Sequence, residues 1–116
     1  MAFSRPGGET SQRAGRRPID LEHLSRQTMG DRALEQEVLA MFSHHAGEIR
    51  DGLAGADEAE RRRLAHTLKG AARGVGAFVL ADCAERLEAD PSDRAIISHL
   101  SARIGEVRDF IAAISR

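Results

Sequence analysis

Tryptophan and tyrosine are absent from this chain, and phenylalanine occurs only as Phe3, Phe42, Phe78 and Phe110. Base stacking would fall to those rings or to histidine, thin provision for a single-strand nucleic-acid binder. Cysteine occurs once, as Cys83, which excludes an internal disulfide and fits a reducing compartment. No stretch approaches the ~20 apolar residues of a transmembrane helix, and the N-terminus lacks a signal peptide's apolar run. An excess of one charge is lacking too. Seventeen Lys and Arg face 18 Asp and Glu for a net charge of −1, which gives no general pull towards nucleic acid or an anionic membrane. No HExxH, ExxH or CxxC pattern occurs. His23 and His99 stand apart, and the adjacent His44 and His45 point about 100° from each other on a helix, a poor metal pair. A glycine-rich phosphate loop, a Walker lysine and kinase catalytic motifs are missing, so no ATP site is expected. With 116 residues, the chain can build one core but not two. No period-two alternation is found, so no strand is expected.

What is present is helical periodicity. Residues 1–18 hold four arginines and no apolar period, and read as a disordered basic tail. Asp20 can cap a short helix carrying Leu21 and Leu24. Gly30-Asp31 opens a long one, with an apolar stripe of Leu34, Val38, Met41, Phe42, Ile49 and Leu53, ended by Gly52 and Gly55. Asp57 with Glu60 forms an acidic variant of a capping box for the next helix, and Gly74 is its expected left-handed terminator, followed by Val75. A helix over 77–88 should bury Leu80, Cys83, Ala84 and Leu87. Cys83 there reads as a buried, inert thiol. Asp90-Pro91 should cap the last helix, which repeats Ile97, Leu100, Ile104, Val107, Ile111 and Ile114 at spacings of 3, 4, 3, 4, 3. Four amphipathic helices with short connections predict an all-α, antiparallel up-down four-helix bundle over residues 19–116, with the short first helix as a lid.

The stretch from Arg62 to Ala77 carries the chemistry. At about 100° per residue, Leu64, Leu68, Ala71, Ala72 and Val75 fall opposite His66, whereas Lys69, Gly70 and Arg73 fall within about 60° of it. A lone histidine on a polar helix face is ordinarily a solvated residue, a charged face is ordinary, and a helical glycine can mark a close helix contact. The combination is what points to function. Imidazole, with an unperturbed pKa near ~6.5, is available as a nucleophile at neutral pH. Lys69 and Arg73 can stabilise an anionic group transferred to it. Gly70, costing ~1 kcal/mol against alanine inside a helix, leaves room for a partner's surface beside the ring.

His66-Thr67-Leu68-Lys69-Gly70-Ala71-Ala72, followed by Val75-Gly76-Ala77, resembles the signature of histidine-containing phosphotransfer (HPt) domains. Gly30-Asp31, Leu34, Glu37-Val38-Leu39 and Phe42 upstream, and Leu80, Cys83 and Leu87-Glu88 downstream, resemble the family's flanking helices. The resemblance covers about residues 19 to 114. It implies that His66 is the phosphorylated residue, Lys69 its nearby cation and Gly70 the small residue giving access. Ala71 stands where a serine is common, which takes a hydroxyl from beside the site, and Gly74 where an asparagine is common. The implied partners are response-regulator receiver domains and a hybrid histidine kinase, with Mg²⁺ on the receiver and no cofactor in this chain. A cytoplasmic monomer is expected, a phosphocarrier rather than a complete kinase. Three rival readings are a receiver-docking bundle without transfer, the phosphotransfer domain of a chemotaxis-type kinase, and a nucleic-acid binder using the N-terminal arginines.

Overall fold

A computed structural model describes residues 17–115. Among them are five helices and no strand: α1 (Leu21–Gln27), α2 (Arg32–Leu53), α3 (Glu58–Val75), α4 (Phe78–Ala89) and α5 (Arg94–Ile114). Helices α2 to α5 pack in a ring, α2 against α3 and α5, and α4 against α3 and α5, while α1 lies against α3. This is the expected four-helix bundle with a short additional helix. Residues 1–16 of the expected basic tail lie outside the described residues.

Asparate caps start most of the helices, because a carboxylate can accept the backbone N–H groups that a first turn leaves free. Asp20 accepts from the His23 N–H at 3.1 Å, Asp31 from Leu34 at 3.0 Å and Asp57 from Glu60 at 2.8 Å. The reciprocal half of the capping box at Asp57 does not form. The Glu60 side chain turns outward to Arg63, with contacts of 2.6 and 2.9 Å. Helix α5 corrects a boundary: its cap is Asp93, which accepts from Ala95 and Ile96, and Asp90 instead ends α4. Pro91 is buried in the intervening turn, not at the first helical position.

The terminator of α3 is also corrected. Gly74 remains helical, and Gly76 is the left-handed residue, at φ +91°. The Ala77 N–H reaches back to the Ala72 carbonyl at 2.8 Å, closing the wider ring of a Schellman turn. A second cause fixes that position. The Asp20 N–H donates to the Gly76 carbonyl at 2.9 Å, and a Cβ on residue 76 would come within 2.8 Å of the Asp20 backbone oxygen.

On α2 the buried positions are Leu39, Phe42, Ala46, Gly47, Ile49 and Leu53. Leu34 and Met41, expected in the core, are exposed, and Val38 is half-buried. The apolar pattern on α2 is wider than its core contact, and Ala46, a small residue, fills the buried interval between Phe42 and Ile49. Gly52 stays within the last turn of α2, with Gly55 beyond it. Helix α4 buries Leu80, Cys83, Ala84 and Leu87 as expected. Helix α5 buries Leu100, Ile104, Val107 and Ile111, adds Ile96, and leaves Ile97 and Ile114 half-buried against the core.

Candidate functional site

His66 sits midway along α3, opposite the buried positions Ala65, Leu68, Ala72 and Val75 taken together, and its side chain is 68% exposed. One neighbour restrains it. The His66 Nδ1 lies 2.8 Å from Oε2 of Glu88, in the last turn of α4. An ionised carboxylate can only accept, so the proton of a neutral ring belongs on Nδ1 and the lone pair on Nε2. Among the described residues no protein hydrogen bond engages Nε2.

Glu88 also reaches Lys69. The Lys69 Nζ lies 2.7 Å from the second carboxylate oxygen, with the Lys69 side chain only 17% exposed. The carboxylate therefore bridges a lysine and a histidine that stand one turn apart on α3. Lys69 first, and His66 after it, hold the Glu88 carboxyl below the usual glutamate range. Arg62, one turn N-terminal to His66, donates from Nε to the Glu88 backbone carbonyl at 3.2 Å and so ties the end of α4 to the same face.

The remaining expected residues divide. A Cβ on Gly70 would meet nothing within 4 Å, so the surface beside the ring is open. Arg73 lies two turns from His66, about 10.5 Å along the axis, and pairs with Glu85 at 3.3 Å. The site thus gathers His66 and Lys69 around Glu88, with Gly70 clear beside them, and Arg73 stands apart in its own ion pair.

Neither Glu88, which the resemblance places only in a flanking helix, nor Arg62 is expected at the site from the sequence. The signal for Glu88 was available in the hairpin geometry. Helices α3 and α4 are joined through Gly76 and Ala77, so in an antiparallel pair a residue ten before the turn lies level with one about ten after it. That arithmetic sets position 66 beside positions 87 and 88, of which Leu87 is buried and Glu88 is not.

The other flank of α3 is apolar. Leu24, Val38, Met41, Phe42, Ala71 and Val75 line a groove of about 570 Å³ between α1, α2 and α3, with Gly74 in its wall. Met41 is 71% exposed there. His44 and His45 lie at its rim, and His44 pairs with Glu48 at 3.3 Å. Cys83 is buried, and burial pushes its thiol up. Among the described residues no three His, Cys, Asp or Glu side chains gather as for a metal ion, and no helix is long and apolar enough to cross a membrane.

A protein-family model described as the Hpt domain matches residues 34–115. No curated protein and no solved structure matches the chain.

Proposed function

We propose, for a chain that belongs to the Hpt domain family, that His66 is the residue that carries the phosphoryl group. Domains of this family serve histidine phosphotransfer in phosphorelays and interact with receiver domains. In this chain Nε2 of His66 accepts the group from a receiver's aspartyl phosphate and passes it to the aspartate of another receiver. Response regulators, and a hybrid histidine kinase bearing one of the receivers, are the partners.

The observation that carries this reading is the contact between Nδ1 and Glu88 at 2.8 Å, which directs the lone pair of the neutral ring to Nε2. In the forward step that lone pair attacks phosphorus as the bond from phosphorus to the aspartyl oxygen breaks. The bonding electrons return to the receiver's carboxylate, and the Nδ1 proton stays in place against Glu88. The return step reverses each bond. Lys69 supplies positive charge one turn from the ring, and the absent side chain at Gly70 lets the receiver's aspartate approach. Magnesium, which supplies charge neutralisation to such transfers, is assigned to the receiver. The groove around Met41 has Gly74, one turn on from Gly70, in its wall, and gives the receiver's body an apolar face to rest on.

Incubation with a phosphorylated receiver tests the reading. Label should pass to this chain in an acid-labile, base-stable form, and His66→Gln should abolish acceptance without loss of helicity, because the ring faces solvent. Retained transfer in that variant would overturn the assignment. Docking without transfer by the unsubstituted chain would favour the interaction-protein reading instead.

A further inference from the structure

The carboxylate of Glu88 touches both the ring that reacts and the lysine beside it, and its effect need not end when the phosphoryl group arrives. We propose that Glu88 sets how readily phosphorylated His66 gives its phosphoryl group away, by keeping the Nδ1 proton on the phosphorylated ring. This inference rests on the assignment of His66 as the phosphorylated residue.

The argument follows the electrons. When neutral imidazole attacks through Nε2, its lone pair becomes the bond to phosphorus, and the ring, still holding the Nδ1 proton, becomes cationic. If that proton stays, cleavage of the nitrogen–phosphorus bond returns the pair to Nε2 and releases a neutral imidazole. If the proton has been lost, the same cleavage must expel an imidazolate anion, a far poorer leaving group. The phosphoryl group goes to a receiver's aspartate oxygen in transfer, or to water in hydrolysis. Both routes share this dependence on the proton.

Glu88 is placed to hold it. An opposite charge within hydrogen-bonding distance favours the protonated form of a ring, and Oε2 lies 2.8 Å from Nδ1. The charged groups around the ring do not all act in that direction. On α3, Arg62, Arg63 and Lys69 are like charges and oppose the cation, Arg63 being paired with Glu60. Lys69 also draws on the carboxylate itself, 2.7 Å from the other oxygen. On α4, Glu88 is the acid in contact, since Glu85 is held by Arg73. No described hydrogen bond or ion pair joins the ring to α2 or α5. Glu88 is therefore a positioning residue with an electrostatic effect, and its two roles can be separated. In Glu88→Gln the amide oxygen can still accept from Nδ1, so ring orientation is kept while the charge is removed.

The experiment needs no receiver. The full chain is phosphorylated chemically with phosphoramidate, and the ³¹P signal that is absent from His66→Gln is followed for loss of phosphate across pH. In the unsubstituted chain, the rise of that loss with falling pH should have its midpoint about one pH unit above that of Glu88→Gln, a modest shift for an adjacent charge. At pH values above both midpoints the variant should then lose phosphate close to tenfold more slowly. Glu88→Asp, which restores the charge, should move the midpoint back towards that of the unsubstituted chain. Coincident profiles for the chain and Glu88→Gln, or a midpoint displaced upward in the variant, would overturn the proposal while leaving His66 as the acceptor. Failure to find any signal dependent on His66 would instead overturn the assignment on which the proposal stands.

Discussion

A side chain added at position 70 would project into open space, which separates the two accounts of a glycine inside a helix. Tight packing between helices would penalise any enlargement, whereas free space leaves only the cost of glycine's backbone freedom. Gly70→Ala should therefore stabilise the protein, by up to ~1 kcal/mol, and Gly70→Leu should also remain folded. Under the proposed function, transfer from a phosphorylated receiver should fall with side-chain size, because the new atoms would stand in the path proposed for the partner's aspartate. Thermal melts beside transfer rates check this; a loss of stability that grew with size would restore the packing account. Glu88 makes a second prediction at this scale. Its carboxyl lies below the usual range because of Lys69 and then His66. A carboxylate depressed in the folded state adds stability above its unfolded pKa of ~4.3, and loses it as pH falls through the folded value. At pH 7 the unsubstituted chain should melt above Glu88→Gln, and the gap should close as pH is lowered below about 4. A gap that stayed constant into acid would show that the carboxylate's charge is not its source.

At the scale of elements, the turn between α3 and α4 decides which residues of the two helices meet, and so sets Glu88 beside His66. Its two nearby glycines have opposite environments. Gly76 has φ +91° and a backbone oxygen where its Cβ would lie, whereas Gly74 is helical with open space around it. Gly76→Ala should destabilise by about 1–3 kcal/mol through backbone strain, and Gly74→Ala should stabilise by up to ~1 kcal/mol. Chemical denaturation of the two variants checks the pair, and equal effects would contradict the placement of the turn. The sequence permitted either glycine as terminator, because glycine at both positions meets the requirement for a left-handed residue. The deciding contact comes from Asp20, remote in the chain, which hydrogen-bonds to residue 76. The same limit explains the other differences. The heptad-like spacing on α5 and the Asp57 cap were legible, since each depends on residues within a few turns. The exposure of Met41 was not, because its spacing suits a core and only the placement of α1 and α3 leaves it facing a groove. In the site, His66, Lys69 and Gly70 could be grouped from one helix's periodicity. Glu88 required the pairing of two helices.

For the molecule as a whole, the helix lying before the matched residues 34–115 is the test of how far the bundle depends on its neighbours. A loosely placed lid would contribute little, but α1 and its lead-in are tied down. Ile19 is fully buried and Leu24 nearly so, His23 packs edge-on against Phe78 with ring centres 5.1 Å apart, and Asp20 holds Gly76. Burying two such aliphatic side chains is worth about 1.5–3 kcal/mol each, set against the ordering of the segment that carries them. Removing residues 1–30 keeps Asp31 as the cap of α2 and should leave a helical bundle with a lower melting temperature. Each net kcal/mol lost corresponds to a fall of about 4–8 °C for a domain of this size. The effect on function should be divided. His66 lies ten residues before Gly76, about 15 Å along α3, so chemical phosphorylation with phosphoramidate should proceed as before on the folded truncated chain. Leu24 and Gln27, however, form part of the groove wall, so affinity for the receiver should weaken. An unchanged melt with unchanged receiver affinity would mean that α1 is only a lid. A lower melt with weaker docking and intact chemistry would make it a working wall of the docking face.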